Sequence, residues 1–596
     1  MASFFRKRIA QKVIPFLLNN ESNKRSAISV VSSAVKMSHS RGRHPQLLLS
    51  WKKITSLSSE RDFKELNPSL LVKLLRNQGL PTAEGFIDIT LCEASLNLLF
   101  TVDEHVFSKI VLMDICTNDD LAKTSCLFEN ISPKRILVDC CCPLIGEPLH
   151  MAHFRSAIYS NFISNINKFA GHEVVKVTHF GDWGLASAAL LTGYKCFDVD
   201  QSVEDSNAHL LEMMKSSVWQ YKNDANFKEN ARTCYNKLEN GDQDLLSEWN
   251  YLKNLYMNYY DSVYKRIGLT FDDTHFDSHF SQEIKEMHDN LLKKDLVFLE
   301  EDGGIKIQSL ETASTYSLPS NIDSPLYHLS RTIFAAIHRK EKYDFDVFYY
   351  VTSASQKNFF SVVFSLLQKL GFEWVENLQH IKLNNRQFES KRQKKLEVED
   401  TLNKAKSFML KILEEELYLE VNENLEKMAE LLGVSSLCIN DMKHRKNTDF
   451  DFDWQDVLTF GRQSGASFQF CHAGLKGLRE DSKYGFSPHM DTSPLMEPEG
   501  RHLVQHLSRF DEMFYKSYIH LEPCFIFQYL STLWHLTDKA TNVLKLDVKE
   551  DRIIVIKARL LLLSATRKIL QQGLHLLGIA PLENIKSSSK FPRNVK

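Results

Sequence analysis

Two histidines, His150 and His153, stand three residues apart where a strand-like run gives way to a helical one. Pro148, just before them, suits the first turn of a helix because proline has no N–H group to leave unbonded. The free N–H groups and the dipole of a helix start favour phosphate, and imidazole N–H groups would add to that attraction. The pair is therefore a candidate for stabilising the charge that develops when the α-phosphorus of a nucleotide is attacked.

The histidine pair has two other interpretations, namely two surface histidines or half of a metal site. A metal needs more ligands, and no further Cys or His stands at motif spacing in the sequence. The run Cys140–Cys142 supplies none, since consecutive strand residues point to opposite faces and cannot chelate one ion. We therefore expect no metal site, and cysteines that are small buried residues.

The elements next to the histidines predict a strand–helix–strand unit. Residues 136–142 read as a buried strand, and the apolar positions from Met151 to Phe169 recur at helical spacing. A second strand follows and ends in the turn Gly-Asp-Trp-Gly at residues 181–184. Such a layout places a nucleotide at the carboxyl end of the first strand.

A second strand–helix unit begins at residues 343–352, which read as a buried strand. The two units predict a Rossmann-type doubly wound parallel sheet over residues 131–402, interrupted by a helical insertion at about 205–300. Residues 36–130 mix helical and strand-like stretches, which predicts a small N-terminal α+β domain. Residues 403–596 show helical stripes only, so the fold class is multidomain α/β plus α, with a C-terminal helical bundle.

Composition limits the function classes. With 596 residues, the chain has room for three or four domains. A net charge of −2 excludes a globally basic nucleic-acid binder, so any RNA contact must come from local Lys and Arg patches. The 11 cysteines show no Cys-x-x-Cys spacing, which favours a reducing compartment. No apolar run approaches the roughly 18 residues that span a bilayer, so we expect no membrane partner.

The first residues are basic and amphipathic, with Arg6, Lys7, Arg8 and Lys12 before the first acid, Glu21. This composition is typical of a mitochondrial targeting segment, which we place within residues 1–35. The alternative is an ordinary first helix of a globular domain.

Several segments carry a family resemblance. Residues 142–156 read CPLIGEPLHMAHFRS, residues 179–184 read HFGDWG, and residues 264–273 read YKRIGLTFDD. The stretches at 325–356 and 452–475 continue the pattern in the same order. Together they resemble the class I arginyl-tRNA synthetases, and the basic amino terminus is most like the mitochondrial form.

The resemblance implies a Rossmann catalytic domain, an N-terminal domain that contacts tRNA, and an α-helical anticodon-binding domain. It implies that ATP, accompanied by Mg²⁺, activates L-arginine to arginyl-adenylate, and that the arginyl group passes to tRNA(Arg). The protein would be a monomer of the mitochondrial matrix. Residue by residue, the resemblance implies three sets of site residues. The catalytic residues would be His150, His153, Lys391 and Arg392. ATP would contact Pro143, Ala152, His153, Gly181 and Asp182, and arginine would contact Tyr327, Gln356 and Arg331.

Several positions depart from the family pattern. An Asn is replaced by Leu144, a Lys by Glu147, and an Asp that binds the substrate guanidinium by Thr332. Losing a charge-assisted carboxylate–guanidinium contact costs about 2–5 kcal/mol of affinity unless another acid replaces it, and Asp323 is a candidate by proximity.

Other departures are Ala152 in place of Gly, Phe359 in place of His and Gly474 in place of Arg. The phosphate-binding loop of the family is represented only by residues 388–395, which could also be a solvated charged face.

Besides an active ligase, two hypotheses stay open: an impaired synthetase-like protein that binds tRNA or a partner, and another nucleotide-dependent enzyme on this fold.

Overall fold

The computed structural model has three parts that follow one another along the chain. The residues described are 2–17, 24–38, 44–58, 67–80, 85–140, 143–196, 206–299, 305–308, 315–318, 325–384, 397–415, 423–449, 452–458, 463–495, 497–546 and 553–583.

The N-terminal part is an antiparallel sheet covered by helices. Its elements are α1 (Ser3–Leu17), α2 (Lys24–Ala34), β1 (Val35–Met37), β2 (Gln46–Leu49), α3 (Trp51–Ser58), α4 (Pro68–Asn77), β3 (Phe86–Cys92), β4 (Asn97–Val102) and α5 (Glu104–Thr117). The strand order is β1-β2-β4-β3. Alternating burial in β4 turns Leu98 and Phe100 into the core, as period-two alternation requires. The predicted α+β class of this part is confirmed, but its core also includes α1 and α2, which lie before the predicted boundary at residue 36.

The first helix is part of this core. Phe5 is fully buried and stacks on Phe107 of α5, with ring centroids 5.4 Å apart. Arg6 is also fully buried and pairs with Asp511 at 2.5 Å and Glu512 at 2.6 Å, both in the C-terminal part. Such packing is what the ordinary-helix interpretation of the N-terminus requires.

The central part is a parallel sheet with helices on both faces. Its first elements are β5 (Arg135–Cys140), α6 (Met151–Phe169), β6 (Glu173–Phe180), α7 (Leu185–Cys196), α8 (Ser206–Asn223), α9 (Ala225–Glu239), α10 (Gln243–Arg266), β7 (Asp273–Phe276) and α11 (Ser281–Lys293). Then come β8 (Phe298–Leu299), β9 (Ile305–Gln308), β10 (Thr315–Leu318), α12 (Pro325–Tyr343), β11 (Val347–Ser353), α13 (Lys357–Lys369) and β12 (Leu378–Leu383).

The strand order of the described parallel sheet, β12-β11-β5-β6-β7, confirms the doubly wound prediction. From β5 the chain runs outward to β7 on one side and then returns to β11 and β12 on the other. The switch point therefore lies between β5 and β11, where a ligand crevice opens at the carboxyl ends.

The extent of the helical insertion was predicted wrongly. The inserted helices are α8, α9 and α10, which end at Arg266, and residues 273–276 then return to the sheet as β7 beside β6. Four residues of strand carry too short a period-two signal to stand out after a long helix. A small antiparallel sheet, order β10-β9-β8, follows.

The C-terminal part is helical, as predicted. Its elements are α14 (Val398–Glu415), α15 (Glu423–Met442), α16 (Trp454–Leu458), α17 (Gly465–Glu480), α18 (Pro498–Leu507), α19 (Phe510–His520), α20 (Cys524–Val543) and α21 (Ile553–Leu576). The boundary drawn at 402/403 divides α14, which is continuous. Among the described residues no helix is both long enough and apolar enough to cross a bilayer.

Candidate active site

The helix α6 presents the histidine pair at its first turn. His150 is the N-cap residue, in extended backbone conformation, and the helix itself begins at Met151 rather than at Pro148. The backbone N–H of His150 donates to Nδ1 of His153 at 3.1 Å, and the two rings stack with centroids 5.9 Å apart. Because Nδ1 of His153 accepts this bond, a neutral ring carries its hydrogen on Nε2. That N–H is the donor that a phosphate oxygen needs.

The loop between β5 and α6 is held from the helical insertion. The buried hydroxyl of Tyr260 accepts from the N–H of Gly146 at 3.2 Å and lies 2.9 Å from the carbonyl of Glu147. Gly146 has φ +89°, and a Cβ there would lie 2.0 Å from Leu190 Cδ1, so only glycine fits. Pro143, three residues beyond the end of β5, is buried, whereas Ala152 is exposed on the first turn of α6.

The Gly-Asp-Trp-Gly turn lies beside this loop. Gly181 forms a parallel bridge with Leu144, and its carbonyl accepts from Ile145 at 3.0 Å. A Cβ on Gly181 would lie 2.5 Å from Nη1 of Arg331, so the absence of a side chain at Gly181 leaves the space that this guanidinium occupies. Asp182 is buried and serves the scaffold, because its oxygens accept from Lys253 at 3.1 Å and from the backbone of Ser278 at 2.8 Å.

A buried charge cluster occupies the space next to Gly181. Asp277, fully buried after β7, accepts from Arg331 Nη1 at 2.8 Å and contacts the ring of His179. Burial raises the pKa of Asp277, but Arg331 and His179 more than offset this, so its pKa is lowered. Arg331 Nη2 also lies 2.6 Å from Nδ1 of His328. Burial and the Arg331 charge together lower the pKa of His328 to about 3, so the ring is neutral.

Asp277 and His328 were not among the predicted site residues. Asp277 directly follows β7, so it shares the carboxyl edge of the sheet with the histidine pair, but β7 had been assigned to the helical insertion. The signal for His328 was its position one residue after Tyr327, in a segment that the resemblance already covered.

The predicted arginine contacts lie on α12 and after β11. Tyr327 and Arg331 are one turn apart on α12, and Gln356 ends a short 3₁₀ turn at the carboxyl end of β11. Thr332 donates its hydroxyl to the carbonyl of His328 at 2.9 Å, a bond within the helix. Phe359 stacks on His328 with centroids 4.7 Å apart. These positions stay predictions of substrate contact.

The predicted catalytic residues Lys391 and Arg392 lie outside the described residues, as does Asp323. The nearest described residues before and after Lys391 and Arg392 are Asn384 and Glu397, and each contacts α6 or the residues that lead into it. Glu397 forms an antiparallel bridge with His150, and Val398 donates to the carbonyl of Leu149 at 2.8 Å. On the other side, the carbonyl of Asn384 accepts from the side chain of Arg155.

A second candidate binding surface lies in the helical part. A cavity of about 570 Å³ opens between α5, α17 and α21. The guanidinium of Arg479 lies 5.6 Å from the centroid of the Phe486 ring within it. Cations beside aromatic rings suit RNA, whose phosphates and bases they contact. The lining residues are Cys116, Arg479, Tyr484, Gly485, Phe486, Pro488, Ser564, Arg567, Lys568 and Gln571.

Metal ligands are not grouped in the described ranges: no three His, Cys, Asp or Glu side chains there stand close enough to hold an ion. None of the cysteines that the structure describes, including Cys140 at the end of β5, forms a disulfide bond.

Comparisons with known proteins agree with this geometry. Residues 119–454 match the family model of the class I tRNA synthetases (R), catalytic domain, and residues 469–585 match the DALR anticodon binding domain. The chain is 32% identical over 491 residues to a probable mitochondrial arginine–tRNA ligase of Bos taurus, covering 81% of this chain and 84% of that one.

The counterpart in Mus musculus is 31% identical over 492 residues, with the same two shares. The structure of Thermus thermophilus arginyl-tRNA synthetase is similar in fold, with a TM-score of 0.70 at 16% identity, over 93% of this chain and 99% of that one. With its doubly wound sheet, its histidine pair at the start of α6 and its helical C-terminal part, this chain belongs to the class I arginyl-tRNA synthetase family.

Proposed function

We propose that this protein is an arginine–tRNA ligase of the mitochondrial matrix. The observation that carries the proposal is that catalytic and anticodon-binding regions both match, in order, over residues 119–454 and 469–585. The relatives from Bos taurus and Mus musculus bear mitochondrial names, which supports the compartment.

The proposed reaction has two steps. A carboxylate oxygen of arginine attacks the α-phosphorus of ATP, an arginyl-adenylate forms, and pyrophosphate leaves, with Mg²⁺ accompanying the phosphates. A hydroxyl of the terminal ribose of tRNA(Arg) then attacks the arginyl carbonyl, and AMP leaves. Positioning and charge stabilisation carry such a displacement, without covalent help from the protein.

The start of α6 supports the place assigned to ATP. The helix offers backbone N–H groups, and a neutral His153 ring carries its hydrogen on Nε2 because its Nδ1 accepts from the His150 N–H. We assign Pro143, exposed Ala152 and Gly181 to the nucleotide side of this crevice. Asp182 fixes the turn through Lys253 and Ser278, so we propose that it acts on ATP only by holding Gly181 in place.

We assign Tyr327, Gln356 and Arg331 to the arginine substrate. Arg331 is a cation, and its charge is balanced by Asp277 at 2.8 Å. It therefore suits the carboxylate of arginine better than the guanidinium. Lys391 and Arg392 are proposed to meet the pyrophosphate end, on the strength of their charge and their sequence position alone.

We propose that the C-terminal helical part binds the tRNA partner. The match to an anticodon-binding domain and the cavity beside Arg479 and Phe486 support tRNA(Arg) as the partner. We propose that the protein acts as a monomer.

A second function has a specific observation in its favour. Leu144, Glu147 and Thr332 replace residues that the family uses on ligands, and Arg331 already occupies the buried carboxylate of Asp277. An impaired, tRNA-binding protein would show this pattern.

Charging of mitochondrial tRNA with labelled arginine by the purified protein tests the proposal. We expect charging that requires ATP and arginine, and we expect it to be lost in a variant that carries His150→Ala and His153→Ala together. Binding of tRNA without charging would reject the ligase and leave the tRNA-binding protein.

A further inference from the structure

Arg155 connects the histidine helix to the helical part of the molecule. It lies on α6, two residues beyond His153, and only 3% of its surface is exposed. Its Nε lies 3.2 Å from Oδ1 of Asp441, a residue of α15 whose side chain is 1% exposed. Its Nη2 donates to the carbonyl of Lys446 at 3.3 Å. One guanidinium thus contacts two separate points of the helical part, by an ion pair with Asp441 and a hydrogen bond to Lys446.

The same guanidinium reaches the end of the parallel sheet. Nη1 of Arg155 donates to the carbonyl of Asn384, the residue after β12. The backbone of Asn384 in turn donates to the carbonyl of Lys446 at 3.0 Å. Sheet end, helical part and α6 therefore meet at one planar side chain, whose donors have a fixed geometry.

The contact continues into the region that matches the anticodon-binding domain. The ammonium of Lys446 donates to the carbonyl of His520 at 2.6 Å, and its backbone N–H donates to Glu522 at 3.1 Å. His520 ends α19, and Glu522 stands between α19 and α20. A continuous set of bonds thus joins the turn that carries His153 to the domain proposed to hold the anticodon.

We infer that Arg155 is a positioning residue, which holds the histidine turn of α6 in a fixed place relative to the tRNA-binding helices through Asp441 and Lys446. The inference rests on the proposed function and adds a residue that touches neither ATP nor tRNA. A misplacement of about 1 Å at a reacting centre can cost about 100-fold in rate, so such a residue affects turnover from a distance.

Two conservative variants test this role. Arg155→Lys keeps the charge but cannot reach three acceptors in one plane, and Asp441→Asn keeps the volume but removes the charge. The matched control is Asp511→Asn, because the Arg6–Asp511 pair is equally buried and its described partners are Ser3, Arg6 and Ser125. All proteins are assayed at a temperature at which circular dichroism shows them folded.

We expect kcat for tRNA charging to fall about 10- to 100-fold in both test variants, with the KM for tRNA changed less than about threefold. We also expect the affinity for a non-hydrolysable ATP analogue, measured by calorimetry, to fall about tenfold in the test variants only. A merely structural role would lower the melting temperature without this split between kcat and KM.

Two results overturn the inference: unchanged kcat and analogue affinity in folded Asp441→Asn, or an equal loss in Asp511→Asn. If the wild-type protein does not charge tRNA, the proposed function fails, but the analogue affinities still decide the role of Arg155. Weaker analogue binding in the two test variants alone would support it even then.

Discussion

The hydroxyl of Tyr260, in the helical insertion, accepts a hydrogen bond from the backbone N–H of Gly146, in the loop that leads to the histidine pair. The two atoms lie 3.2 Å apart, and both are buried. The same hydroxyl lies 2.9 Å from the carbonyl of Glu147. An element inserted more than 100 residues later therefore fixes the shape of the loop between β5 and α6.

Replacing Tyr260 with Phe leaves the Gly146 N–H and the Glu147 carbonyl without this partner. We expect a loss of about 1–3 kcal/mol in the free energy of unfolding, measured with urea, and a lower rate of pyrophosphate exchange. Tyr256 is the matched control, since its hydroxyl is buried with no partner among the described residues. If Tyr260→Phe and Tyr256→Phe had the same free energy of unfolding, the hydrogen bonds of Tyr260 would not contribute to stability.

Replacing His153 with Ala removes the proposed phosphate donor and the acceptor for the His150 N–H. We expect arginine-dependent pyrophosphate exchange to slow by about 100- to 1000-fold, the loss typical of a removed oxyanion donor. His489→Ala, at an exposed position of the helical part, should leave the rate unchanged. Normal exchange in folded His153→Ala would remove the ring from the mechanism.

Replacing Glu147 with Lys tests whether the reversed charge weakens ATP binding. The carboxylate is half-exposed in the loop between β5 and α6, so solvent screens much of its effect. We expect the KM for ATP to fall about threefold in Glu147→Gln and up to about tenfold in Glu147→Lys. A higher KM in both variants would mean that Glu147 has a binding role of its own.

Acid should weaken the charge cluster through His328. The unfolded ring takes up a proton near pH 6.5, but the folded ring, with its pKa lowered to about 3, does not. The unfolded state therefore binds more protons below pH 6.5, and the free energy of unfolding falls by about 1 kcal/mol per pH unit between pH 6 and 4.

The matched comparison for that prediction is His328→Gln, which can still accept from Arg331 but does not titrate. Urea midpoints of wild type and variant should converge as the pH falls from 6.5 to 4. Parallel curves would show that His328 has an ordinary pKa. The rings of His275, His380 and His506, each with its pKa lowered to about 4, contribute equally to both proteins.

Replacing Arg6 with Met leaves Asp511 buried without its main partner. We expect a loss of about 3–5 kcal/mol in stability, seen as a lower melting temperature. Arg8→Met, two residues along the same helix but half-exposed, should change stability by less than about 1 kcal/mol. Equal melting temperatures for the two variants would contradict the fully buried position of Arg6.

Sequence patterns predicted those elements of the fold that depend only on residues close together in the chain. The strand before His150, the stripe of α6 and the β11–α13 unit follow from spacing within about 20 residues, and the structure has them. The strand β7 was missed, because its pairing with β6 depends on neighbours about 100 residues away rather than on its own four residues.

The site could be predicted only where chemistry and sequence position coincide. Residue type and spacing identify His150 and His153 as candidates. Asp277 and Tyr260 can be identified only from the contacts that they make in the folded chain. Tyr260 belongs to an apolar helical stripe and reads as core. Its role depends on the meeting of its hydroxyl with Gly146, which no local pattern encodes.

The pairing of Arg6 with Asp511 has a consequence for synthesis. The two residues are separated by 505 positions, so at about 5–20 residues per second the first helix leaves the ribosome roughly 25–100 s ahead of its partner. Arg6 can reach its fully buried position only once α19 has been made, so the first helix of the chain completes its docking only near the end of synthesis.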